Sequence, residues 1–166
     1  MDWTEYAEWT ATTALQSAAN PEYLKLGAIE EAFEALEAYC AMQAAKYGKQ
    51  KRILRGDGPE VLAAKDAAVE RAKLKLREEV GDLAWYVARI LAGTPQVPDF
   101  DGEWKLEFTL SAAEDVGTIT THDTAQRILA ELLAFTDAPL EAILEGNKLK
   151  LEARKAASLL RGEGDR

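Results

Sequence analysis

Apolar residues recur at three- and four-residue steps along most of this chain, while proline and glycine fall between the periodic stretches, a pattern that predicts helices joined by loops. Five or six helices follow. The first spans residues 3–18 and stops before Asn20-Pro21, because a residue preceding proline is biased away from the α region. The second spans 21–47. Asp57-Gly58-Pro59-Glu60 reads as the start of a third, with Pro59 in the first turn where its missing N–H costs nothing, and the periodicity carries this helix to residue 91. Residues 93–102, with Pro95 and Pro98, read as a loop. The stretch 104–117 shows no clear period, although Ser111 and Glu114 are spaced as a capping box. Residues 121–135 are helical in pattern, and a last helix runs over 139–160 behind Asp137. The third helix is long enough to pack along a bundle. The expected class is therefore all-α, a helical bundle in a single domain, 1–166.

On the second helix Leu26, Ile29, Phe33, Leu36 and Cys40 line up as one apolar stripe, read as buried core. Glu31 and Glu34 share a different face, with Glu30 one turn from Glu34. Glu-x-x-Glu also occurs at Glu5/Glu8 and Glu34/Glu37, so the spacing alone fits a solvated face. The neighbours of Glu31 on the helical wheel are more informative. Gly27, Ala28, Ala35 and Ala38 are small and admit a second helix or a ligand at close range. Carboxylates gathered there repel one another, and a cation offsets that repulsion.

On the third helix Leu76, Val80, Leu83, Val87 and Ile90 form the core stripe, and beside it Glu79 and Asp82 make the one Glu-x-x-Asp of the chain. Trp85 and Tyr86 follow Asp82 by three and four positions, where a base could stack on an aromatic ring. Both rings also suit a core without any ligand. On the last helix Asn147, Lys150 and Arg154 share a polar face, opposite an apolar stripe of Leu149, Ala153, Ala156 and Leu160. Arg154 can hold a phosphate by its fork and Lys150 as a point charge. A solvated helix face accounts for the same residues without a ligand.

Composition narrows the chemistry. An apolar share of 48% is ample for one core, and 29 acidic against 20 basic side chains argue against a duplex DNA or RNA partner. Cys40 is alone, which excludes an intrachain disulfide, and no apolar run approaches the roughly 18 residues of a membrane span. The opening MDWTEYAEWT lacks the basic start and apolar stretch of a signal peptide, so a cytoplasmic location is expected. A single histidine, His122, removes multi-histidine zinc sites and ferritin-like Glu-x-x-His pairs. A phosphate-cradling Gly-x-x-x-x-Gly-Lys loop is absent.

Three stretches together resemble a family. Glu30-Glu31-Ala-Phe-Glu34, then Glu79-Val-Gly-Asp82 with its following Leu-Ala-Trp-Tyr, then Asn147-Lys-Leu-Lys150-Leu151-Glu-Ala-Arg154 match, in order, three motifs of the MazG-type all-α nucleoside triphosphate pyrophosphohydrolases. Those motifs are Glu-Glu-x-x-Glu, Glu-x-x-Asp and Asn-x-x-Lys-Leu-x-x-Arg. The likeness covers about residues 20–92 and 137–155. It implies hydrolysis of a dNTP or NTP to the monophosphate and pyrophosphate with Mg²⁺, or Mn²⁺ as an alternative ion. Glu31, Glu34, Glu79 and Asp82 would be the metal ligands. Glu30 and Glu31 would be catalytic, Glu30 by binding or orienting the attacking water. Asn147, Lys150 and Arg154 would meet the phosphates or sugar, beside the base contact that the spacing of Tyr86 to Asp82 suggests. Lys51 and Arg55 lie in a stretch similar to a basic patch of relatives and would add phosphate contacts. A homodimer or homotetramer is expected by the same resemblance.

Two features depart from the family's pattern. The stretch between Glu34 and Glu79 is longer than in compact members, which implies a longer helical arm. Residues 94–136 have no counterpart in the motifs, which implies an insertion serving as a lid, a dimer contact or a specificity element. Two rival readings stand beside the first: a phosphoribosyl-ATP pyrophosphohydrolase-like enzyme with the same metal motif, and a non-catalytic helical interaction module whose stability Mg²⁺ would leave unaltered.

Overall fold

In the computed structural model, which describes residues 1–14, 16–92 and 122–157, the first helix is ended by its own threonines. Helix α1 (Trp3–Thr10) starts from a capping box in which Asp2 accepts from the Glu5 amide and Glu5 accepts from the Asp2 amide. The sequence pattern carries this helix to residue 18. Instead, Thr10 Oγ1 donates to the Ala7 carbonyl at 2.7 Å and Thr13 Oγ1 to the Thr10 carbonyl at 3.0 Å, and the chain continues through turns into a short 3₁₀ segment at Gln16–Ala19. Side-chain hydroxyls compete here for backbone groups that a helix needs.

Helix α2 (Pro21–Leu54) outruns its expected end at 47, because Lys49, Gln50, Lys51 and Arg52 are good helix formers. Gly56 terminates it. Its left-handed φ of 73° lets the Gly56 amide donate to the Ile53 carbonyl and the Asp57 amide to the Arg52 carbonyl, a Schellman cap. Helix α3 (Pro59–Ile90) then begins at the expected Pro59 and returns antiparallel along α2. Helices α4 (His122–Ala134) and α5 (Leu140–Ala156) complete an all-α bundle of five helices among the described residues. The α4–α5 connection turns at Asp137, whose φ is 55°.

Helix α3 is the hub, packed against α1, α2, α4 and α5. Its expected stripe is core: Leu76, Val80, Leu83 and Val87 are fully buried, and Gly81, Ala84 and Ala88 make the same turns buried on their other sides. The opposite half of the α2–α3 hairpin is an exposed arm with Val69 and Met42 among its few buried side chains. The Lys49–Asp66 ion pair links its two helices. No described helix is long and apolar enough to cross a membrane.

Two stripes expected as core point outward, the one on α2 in part. On α2 Leu26 is 66% exposed, Phe33 47% exposed and Cys40 exposed, and of the same stripe Ile29 and Leu36 are half-buried against the core, while Leu24, Gly27, Ala28, Ala32, Ala35 and Ala38 are buried. The small face wins because it lets α3 come close, and the bulky face lies on the other side of the helix. On α5 Leu149 is 58% exposed and Ala153 and Ala156 are exposed, while Ile143, Leu144 and Asn147 face α3. Here an inward polar residue meets a carboxylate of α3, so the polar stripe turns inward. The loop at 93–102, the stretch 104–117 with Ser111 and Glu114, and Leu160 lie outside the described residues. Of the expected insertion, α4 packs on α2 and α3 and contributes Ile128, Leu129 and Leu132 to the core.

Candidate metal centre

The approach of α2 to α3 depends on glycine. A Cβ at Gly27 would collide with the Tyr86 ring, so its absence is what lets the ring lie across α2. That approach turns Glu31 and Glu34 of α2 toward Glu79 of α3. One carboxylate oxygen from each of the three lies within 4.8 Å of the others. The three differ in environment: Glu34 is exposed, Glu31 half-buried and Glu79 only 2% exposed.

Their electrostatics follow from this crowding. Burial, then the charges of Asp82, Glu34 and Glu79, push the Glu31 carboxyl from 4.5 up to about 8, against a small opposing effect of Lys150. Glu34 is raised as well, first by desolvation and then by Glu79. The Lys75 ammonium stands against Glu79 Oε1 as a close ion pair rather than a well-angled hydrogen bond. Like charges held together, two of them with their protons favoured, form a site that a hard divalent cation would relieve. Oxygen-only donors match Mg²⁺ or Mn²⁺ rather than a soft metal.

Asp82 was expected to be the fourth ligand, and the structure gives its oxygens to other partners. Asn147 Nδ2 donates to Asp82 Oδ1 at 2.7 Å, and the Lys150 ammonium contacts Oδ2. Tyr6, fully buried on α1, donates its hydroxyl to Asn147 Oδ1 at 2.7 Å. Burial raises the Asp82 carboxyl, and Lys150 and Arg154 counteract the rise, so Arg154 acts on the same group from α5. Asn147 is 4% exposed. Its expected place at a nucleotide is thus taken by a buried chain running Tyr6, Asn147, Asp82, Lys150, in which Gly81 allows the contact: a Cβ there would stand 3.1 Å from Asn147 Cβ.

The remaining expected site residues separate. Glu30 is exposed on α2 and adds to the charge around Glu34. Tyr86 is 8% exposed, packed edge-on to Trp85 with ring centroids 5.0 Å apart and near Tyr23, which places it in the α2–α3 interface rather than open to a base. Trp85 donates its indole N–H to Thr13 Oγ1 at 2.9 Å. Lys51 and Arg55 are exposed at the far end of the arm, about 30 Å or more along α2 from Glu31 at 1.5 Å per residue, so they do not join the carboxylates within this chain.

Two residues of the site had no place in the sequence reading. Lys75 had a signal, its i,i+4 spacing to Glu79 on a helix. Tyr6 had none, since nothing in the first helix marks a partner 141 positions away. Compared with protein-family models, curated proteins and solved structures, the chain matches none, and the family resemblance rests on its three motifs.

Proposed function

We propose that this chain is a metal-dependent nucleoside triphosphate pyrophosphohydrolase of the MazG type, cleaving a dNTP or NTP to the monophosphate and pyrophosphate. The observation that carries the reading is the convergence of Glu31, Glu34 and Glu79, from two motifs far apart in sequence, to within 4.8 Å of one another. These three would hold the ion. Mg²⁺ held there would supply charge stabilisation to the phosphates and would acidify water. Glu30, exposed one turn from Glu34, would bind or orient the attacking water. Asp82 is held by Asn147 and Lys150 and adds its charge to that around Glu31, and Lys150 and Arg154 would supply positive charge to an approaching triphosphate. We further place the chain in the cytoplasm as a homo-oligomer, with the outward stripe of Leu26, Phe33 and Cys40 as the contact between copies.

A panel of dNTPs and NTPs incubated with Mg²⁺ and the full chain tests the reading. Monophosphate and pyrophosphate are the expected first products, and Glu34→Gln is expected to lower kcat at least tenfold. Orthophosphate with a diphosphate, or turnover indifferent to Glu34→Gln, would overturn it. No turnover on any nucleotide together with no response of stability to Mg²⁺ would favour the interaction-module reading.

A further inference from the structure

Among the described residues two lysines meet the carboxylates of this candidate site, and they are held differently. Lys150 approaches Asp82 from another helix, and its side chain is 26% exposed against 15% for Asp82. Lys75 approaches Glu79 from one turn earlier on the same helix, and its side chain is 62% exposed while that of Glu79 is 3% exposed. Glu79 therefore carries a buried carboxylate whose cation is mostly in water. A buried charge stripped of its partner is strongly destabilising, so the fold needs some cation at Glu79. An ammonium on a flexible four-carbon stem returns to solvent at little cost.

We propose that Lys75 is a displaceable internal cation: it neutralises Glu79 in the metal-free protein and swings into solvent when a divalent ion takes that carboxylate together with Glu31 and Glu34. This inference rests on the metal-centre reading above. Lys75 is a positioning residue that keeps the empty site folded and sets the threshold for metal entry. Because the ion and the ammonium draw on the same carboxylate, apparent metal affinity is reduced by the fraction of molecules in which Lys75 is seated.

Calorimetric titration of the metal-stripped full chain with MnCl₂, beside thermal melts of the same samples, tests this in wild type, Lys75→Met, Lys75→Gln and Glu34→Gln. Both Lys75 variants are expected to bind Mn²⁺ about 5-fold more tightly than wild type and to melt lower without metal. An ordinary helix ion pair would lower the metal-free melt and leave the Mn²⁺ affinity unchanged. Unchanged or weaker binding in both variants, with wild type binding Mn²⁺ and Glu34→Gln losing it, overturns the role of Lys75 and leaves the metal centre standing. Absence of Mn²⁺ binding in wild type and every variant removes the metal centre and this inference with it.

Discussion

Glu31 shows how the fold changes the chemistry of a single side chain. Its carboxyl lies at about 8 in the folded chain against 4.5 ordinarily, so between those values the folded state keeps a proton that the unfolded state has released. Stability then falls as pH rises through that window, since it rises with pH only where the unfolded state binds more protons. Metal-free protein is expected to melt progressively lower as pH is raised from about 4.5 to about 8, and Glu31→Gln to flatten that decline; a wild-type curve that rises over the same range would remove the protonated Glu31. On the proposed metal reading a divalent ion would have to displace this proton, so metal affinity is expected to rise with pH over the same window. Asn147 makes a related point. Its identity suggested a polar contact with a ligand, whereas its 4% exposure and its bonds to Tyr6 and Asp82 make it a tether.

Among the elements, the α2–α3 hairpin carries the site, and its close packing depends on where small residues fall. The same substitution should have opposite effects at two glycines of α2. Gly27→Ala gains about 1 kcal/mol of helix propensity but drives a methyl into the Tyr86 ring, which Trp85 and Tyr23 hold in place, for a cost of roughly 1–3 kcal/mol or more. It is expected to lower the melting temperature and to separate Glu31 from Glu79. Gly48→Ala meets nothing within 4 Å and is expected to raise the melting temperature. Thermal denaturation of the two variants checks both signs, and a Gly27→Ala protein as stable as wild type would mean that α2 and α3 can part without loss. The legible and illegible parts of the helices divide on the same ground. Their existence, and the starts at Pro21 and Pro59, follow from local propensity and caps. Which face of α2 packs does not, because Leu26, Phe33 and Cys40 satisfy the helical period as well as the alanine seam does.

For the whole molecule, the proposed metal binding would be linked to folding, because the carboxylates of α2 and α3 converge only in the folded chain. An ion at 100 times its Kd stabilises by about 2.7 kcal/mol. For a domain of this size that corresponds to a rise of roughly 5–10 °C in Tm. Mg²⁺ is expected to give wild type such a shift, and Glu34→Gln a much smaller one, while the metal-free variant melts slightly higher than wild type because one repelling charge is gone; equal shifts in both proteins would show that Mg²⁺ acts elsewhere. The sequence by itself determined the all-α class, the two long helices and the set of acidic side chains, since these depend on periodicity, capping residues and spacing within a helix. Tertiary structure decided which of those carboxylates meet. Glu31, Glu34 and Glu79 share a site, Asp82 is claimed by Asn147 and Lys150, Lys75 covers Glu79, and Lys51 and Arg55 are carried away along the arm. The physical reason is that helical spacing specifies a face, whereas the partner of that face is chosen by the closest packing between helices, and that depends on residues far apart in the chain.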